Sequence, residues 1–195
     1  MSPATPLVAG ADAAVVAGQL GRAPHAMSAV AVRCPFGLPA VVEDLPYDEA
    51  GRAFPTLFYC TCPTLVAAVS SLESAGGVAR WTARLAAEPE LARSAANAAR
   101  DAAARRAELV HGHKLAMLDD GASLASGVGG VSDVRAVKCL HAHVAHALAR
   151  PGYALGDAVL AEVVDPWCGD GRCAAYLPAD HPARPAGTDG GEDPA

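Results

Sequence analysis

Residues 27–43 read MSAVAVRCPFGLPAVVE, and this stretch decides the fold class. Residues 27–33 alternate small or polar groups with β-branched valines, the period-two signature of a half-buried strand. Cys34-Pro35-Phe36-Gly37-Leu38-Pro39 cannot continue that strand, because two prolines and a glycine impose a turn. Residues 40–43 then return as a second strand. Outward from the hairpin, residues 44–53 read as a loop and residues 56–60 (TLFYC) as a third strand. Nearly everything downstream has helical character. The expectation is an α+β fold: a small antiparallel N-terminal sheet packed by four to five helices.

Thr61-Cys62-Pro63 predicts a helix start with Thr61 as N-cap, since proline is tolerated where its missing N–H would have no partner. That helix should end at Gly76-Gly77. A second helix is expected over 78–88, and a third opens at Pro89 and reaches residue 113 or so. Residues 119–131 form a Gly/Ser-rich loop. Ser132 is expected to cap a helix running to residue 150, stopped by Pro151-Gly152, with a short helix over 156–164 after it. Upstream, residues 12–20 suit a short helix and residues 1–11 a flexible N-terminus. Nine of the 27 residues from 169 to 195 are Gly or Pro, so that acidic stretch is expected to be a disordered tail. A single domain over 12–168 results.

Of 195 residues 101 are apolar, but 46 of these are alanine, so the core must be built from few large groups. Net charge is −6, and Arg105-Arg106 is the only basic pair. Phosphate recruitment needs a basic patch, so nucleic-acid binding is excluded. The longest uncharged run, residues 53–72, contains Pro55 and Pro63 and reads as a strand followed by a helix, giving no membrane span. The first basic residue is Arg22, so no secretory leader is expected and the location is read as cytoplasmic, with reduced cysteines. There is no P-loop, GxGxxG, GxSxG or HExxH pattern.

Chemistry concentrates on cysteine and histidine. Cys34 sits in the hairpin turn, Cys62 opens a helix, and Cys139 falls in the expected 132–150 helix beside His141, His143 and His146. Thiolates and imidazoles from separate elements converge on zinc or an iron–sulfur cluster, although no paired CxxC marks the site and unconnected core cysteines are the plain alternative. Wound as one helix, residues 132–150 place Cys139 and His143 four apart, close enough to share an ion, and His146 about 10 Å from Cys139 along the axis. His141 falls on the core stripe with Val134 and Val137, where a buried hydrogen bond is its simplest role. A second reading makes Cys62 a nucleophile, its thiolate favoured by the helix dipole. Arg33, Arg135 and Lys138 would then bind a small anionic substrate. His111 and His113 suit a helix C-terminus, Cys168 is a spare ligand and Cys173 a bystander.

The segments Gly21-Arg22-Ala23-Pro24, Arg33-Cys34-Pro35-Phe36-Gly37-Leu38-Pro39, Pro55-Thr56-Leu57-Phe58-Tyr59-Cys60-Thr61-Cys62-Pro63, Val137-Lys138-Cys139-Leu140-His141 and Ala145-His146-Ala147-Leu148 resemble the bacterial domain-of-unknown-function family 501. Leu155-Gly156-Asp157 is similar to its later short motif, and the resemblance spans about residues 12–168 in order. It implies a bacterial protein of high-GC genomes. In the family pattern the positions of Cys60 and His143 are commonly apolar, which leaves Cys34, Cys62, Cys139, His141 and His146 as the implied ligand set. The family's gene neighbourhood includes a septum protein, which implies a third reading, an interaction module with a protein partner in cell division. No activity comes with the resemblance.

Overall fold

The computed structural model describes residues 10–184. Among them are six α-helices and three strands in the order α1 (Ala11–Leu20), β1 (Met27–Arg33), β2 (Pro39–Asp44), β3 (Phe58–Cys60), α2 (Pro63–Ser74), α3 (Gly77–Ala87), α4 (Pro89–His113), α5 (Leu140–Ala149) and α6 (Ala154–Leu160). This is the expected α+β arrangement. The sheet is an antiparallel meander, β1-β2-β3, with Val41 opposite Cys60 and Val42 opposite Tyr59. Every residue of β2 is buried, because the central strand is covered on both faces. Val42 packs with Val16 of α1 and Met27, while Ala40 and Val41 join the main core with Leu65, Trp81 and Leu140.

The hairpin closes as the sequence predicts. The Cys34 amide donates to the Leu38 carbonyl at 2.9 Å, and Gly37 takes φ +77°, a conformation that favours glycine. One residue separates expectation from structure at α2: Cys62, not Thr61, is the N-cap, and Thr61 is buried with its amide donating to Ala40 O. The uncharged run of residues 53–72 divides into β3 and the first part of α2. Among the described residues no helix is long and apolar enough to cross a membrane.

A larger difference concerns residues 132–139, which are not helical. Helix α5 begins only at Leu140, with Cys139 extended as its N-cap. The Asp133 side chain accepts from the Arg135 amide at 2.9 Å, and the Ala136 amide donates to Asp133 O, closing a local turn instead of a first helical turn. Val134 is consequently exposed and Val137 buried. The stripes expected from an eighteen-residue helix therefore do not exist upstream of Leu140.

The 114–139 connection is held by two polar anchors. Asp119 accepts hydrogen bonds from the Tyr47 hydroxyl at 2.6 Å and from the Gly121 and Ser123 amides. Arg106 of α4 is fully buried and donates to the carbonyls of Pro55, Leu124, Ser126 and Gly127. Its neighbour Arg105 forks onto Glu43 at 2.8 Å through both nitrogens. Both members of the basic pair are thus engaged within the fold.

Of the expected loose N-terminus only Gly10 and Ala11 are described, and Ala11 already belongs to α1. Residues 169–184, assigned by composition to the tail, include a 3-10 turn at Arg172–Tyr176. Cys173 and Leu177 there are buried with Val15 and Leu38, so Cys173 is a small core residue. Gly18 of α1 makes room for the Tyr176 ring, which a Cβ at that position would meet at 2.3 Å. Residues 185–195 of the expected tail lie outside the described residues.

Candidate metal and thiol site

Helices α2 and α5 converge on a point that neither would form alone. Leu140 is fully buried in the core, and Gly77 lets it approach: a Cβ there would meet Leu140 Cδ1 at 2.9 Å. Seating Leu140 puts Cys139 at the N-cap of α5 and His141 in its first turn, against the flank of α2. Cys139 offers no side-chain cap to its own helix. Glu73, from the last turn of α2, supplies one: its Oε1 accepts from the Leu140 amide at 2.5 Å. A carboxylate there also complements the positive end of the α5 dipole.

His141 occupies the centre of the group. Its Nε2 lies 3.1 Å from Val66 O and 3.3 Å from Ser70 Oγ. A carbonyl only accepts, so Nε2 carries a hydrogen and Nδ1 faces the other way. Nδ1 is 3.5 Å from Cys139 Sγ and 3.3 Å from Glu73 Oε1. The hydrogen bond to Cys139, with the Val66 carbonyl and the charge of Glu73, lifts the imidazole to about 9 against the opposing effect of burial. Among the described residues, Glu73, Cys139 and His141 form a group whose ligand atoms all lie within 4.8 Å of one another.

Beside this group is a cavity of about 400 Å³ lined by Thr56, Tyr59, Ser70, Lys138 and the apolar side chains of Phe58 and Val66. Cys60 also lines it. Its thiol donates to His141 O at 3.6 Å, and burial pushes it up to about 12, so it stays a neutral hydrophobe. Lys138 has no hydrogen-bond or ion-pair partner among the described residues and lines the cavity together with Cys139 and His141.

Of the five expected ligands, two meet in this group and three stand elsewhere. Cys139 and His141 come together. Cys62 stands at the opposite end of α2 from Glu73, about 16 Å along the helix axis. Cys34 lies in the hairpin turn against Leu38 and Cys173. His146 is 3% exposed, its ring edge-on to Phe58 and Tyr153, with His143 beside it. His143 shares a 2.5 Å hydrogen bond with the Tyr153 hydroxyl and does not pair with Cys139. Of the expected anion-binding residues, Arg33 forks onto Asp12 and Arg135 pairs with Asp133, leaving Lys138 at the cavity.

Glu73 was not expected. One signal in the sequence marks it: an acidic residue in the last turn of a helix opposes the local dipole, so it calls for a compensating partner. The partner is the N-terminus of α5, 67 residues on.

Comparison with curated proteins gives no match, and neither does comparison with solved structures. A family model does match, over residues 30–161, a span that begins in β1, includes Glu73, Cys139 and His141, and ends just after α6. On that span the chain belongs to the family described as Protein of unknown function (DUF501).

Proposed function

We propose that this protein binds a transition metal, with zinc the best fit, through Glu73, Cys139 and His141. The observation that carries the reading is the spacing of the donor atoms. With bonds of about 2.0 Å to nitrogen or oxygen and about 2.3 Å to sulfur, a tetrahedral zinc site separates N from O by about 3.3 Å and N from S by about 3.5 Å. His141 Nδ1 lies at 3.3 Å from Glu73 Oε1 and 3.5 Å from Cys139 Sγ. The Nε2 hydrogen bond to Val66 O orients the ring, as an outer hydrogen bond does for ligating histidines. A mixed N, S and O set with one thiolate suits zinc, whereas an iron–sulfur cluster would need several more thiolates at the same point.

Three protein donors leave a fourth position for water or substrate, the pattern of catalytic rather than structural zinc. The adjoining cavity with Lys138 supports a small anionic substrate there. The location we propose is a reducing, cytoplasmic one, where the six cysteines would stay free thiols.

Elemental analysis of purified protein, followed by cobalt(II) substitution, tests the reading. About one zinc per chain is expected, together with a cobalt spectrum showing thiolate charge transfer that disappears in Cys139→Ser. Metal-free protein that takes up no cobalt would refute it.

A second reading is favoured by the 3.5 Å contact between Cys139 and an imidazole held protonated up to about 9. Such a pair is the nucleophile and acid–base partner of a thiol-dependent enzyme. Iodoacetamide would then alkylate Cys139 well ahead of the other five cysteines, with no protection by added zinc. An interaction role in cell division has no comparable observation behind it.

A further inference from the structure

A second cleft lies away from the Glu73–Cys139–His141 group, between α4 and the segment joining α5 to α6. Its volume is about 620 Å³, and it is lined by Ser94, Asn97 and Asp101 of α4 together with His146, Arg150 and Tyr153. His146 is the residue that does not fit a purely structural account. It is 3% exposed, yet its ring nitrogens make no hydrogen bond among the described residues, and the ring reaches the cleft. Phe58 and Tyr153 pack edge-on against it and fix its orientation. An imidazole held in place this way presents its nitrogens to whatever occupies the cleft.

Two more groups at the cleft have unused capacity. Arg150 and Asp101 form an ion pair at 3.6 Å, too long for a hydrogen bond, and neither side chain makes a hydrogen bond among the described residues. The Arg150 guanidinium lies 5.9 Å from the centre of the Phe58 ring, which holds it in place. The cleft thus offers the Arg150 fork, the Asp101 carboxylate and an imidazole, and a second ion pair, Arg93 with Glu90, also lines it. Burial keeps the imidazole neutral at pH 7, with one donor and one acceptor. The fork recognises two oxygens of an oxyanion, and the carboxylate, which only accepts, recognises a hydroxyl.

We propose that this cleft binds a small hydroxylated anion, its oxyanion on Arg150 and His146 and an adjacent hydroxyl on Asp101. The oxyanion is a phosphate ester or a carboxylate, since both present the same pair of oxygens to the fork. The proposal is independent of the metal site and makes His146 a ligand-recognition residue.

Calorimetric titration with glycerol 3-phosphate, gluconate and neutral glycerol tests it, with the His146 ring signals followed by NMR in parallel. Saturable binding of at least one anion, a shift of the His146 signals and no binding of glycerol are expected. Binding of the first compound alone identifies phosphate as the oxyanion, of the second alone carboxylate. Arg150→Gln, at a partly exposed position that leaves the core intact, should weaken binding about tenfold or more. Cys139→Ser should leave it unchanged. The proposal fails if neither anion moves the His146 signals at about 20 mM, if glycerol binds equally well, or if Arg150→Gln binds like the parent.

Discussion

The Leu140 amide donates to Glu73 Oε1 at 2.5 Å, and the same oxygen lies 3.3 Å from His141 Nδ1. One carboxylate therefore caps α5 and completes the donor group beside it. Structure and site are joined in a single side chain, and substitutions can separate the two roles.

Glu73→Gln keeps a carbonyl oxygen for the Leu140 amide and removes the charge. It should cost less than about 1 kcal/mol of stability, whereas Glu73→Ala, which leaves the helix end uncapped, should cost about 1–2 kcal/mol. Both should weaken zinc binding by about tenfold to a hundredfold. Urea unfolding of the metal-free protein and a zinc competition titration read the two effects separately. Glutamine binding zinc as well as glutamate does would remove Glu73 from the ligand set.

Zinc must displace the proton that His141 holds up to about 9. Below that pH the free protein carries an imidazolium, and ligation releases its proton. Apparent zinc affinity should therefore rise with pH from 6 to about 9, by close to tenfold per pH unit from this residue alone. Titrations against a chelator of known pH dependence check the slope. A flat profile would mean that Nδ1 is not a ligand.

The hairpin and α4 were legible in the sequence because their signals are local. Gly37 and two prolines shape the turn, and Pro89 opens a helix whose charges and alanines hold register to His113. The start of α5 was not legible. Ser132 and Asp133 resemble a helix cap, but Asp133 closes a turn onto Arg135, and the true cap comes from Glu73, 67 residues upstream. Cys139 and His141 were singled out for their chemistry and do meet. His146 was grouped with them through the family resemblance, against a helix geometry that set it about 10 Å from Cys139, and in the structure, where α5 starts only at Leu140, it lines another cleft.

Arg106 holds four carbonyls and, among the described residues, no carboxylate, and burial draws its guanidinium down to about 10. The planar fork serves Pro55 O through Nε and three carbonyls of residues 124–127 through the terminal nitrogens. Lysine presents a point charge with three donors on a flexible stem and cannot span them. Arg106→Lys should cost about 3 kcal/mol, most of it from buried groups left without partners. Urea denaturation measures this directly. A loss below about 1 kcal/mol would mean that the 122–127 segment is held by Asp119 instead.

Stability of the metal-free protein should peak near pH 6.5, and the sign follows from four groups. His143 and His146 are drawn down to about 4 by burial, so between pH 4 and 6.5 the unfolded chain binds two protons that the fold does not. Buried Asp44 is raised to about 7 and works in the opposite direction over that window, because the folded state keeps its proton. One proton net remains on the unfolded side, and stability rises by about 1.4 kcal/mol per pH unit towards 6.5. Above 6.5 the unfolded His141 is neutral while the folded one stays charged up to about 9. Stability then falls by about 1.4 kcal/mol per pH unit from His141 alone until that proton leaves, and more steeply up to about 7, where Asp44 still holds its own. Asp119, drawn down to about 2, acts only below this range. Asp44→Asn removes the opposing group, so its acid limb should be about twice as steep as the parent's. Urea midpoints at half-unit steps from pH 4.5 to 9 decide the matter. An acid limb unchanged by Asp44→Asn would show that this carboxyl is ionised in the fold.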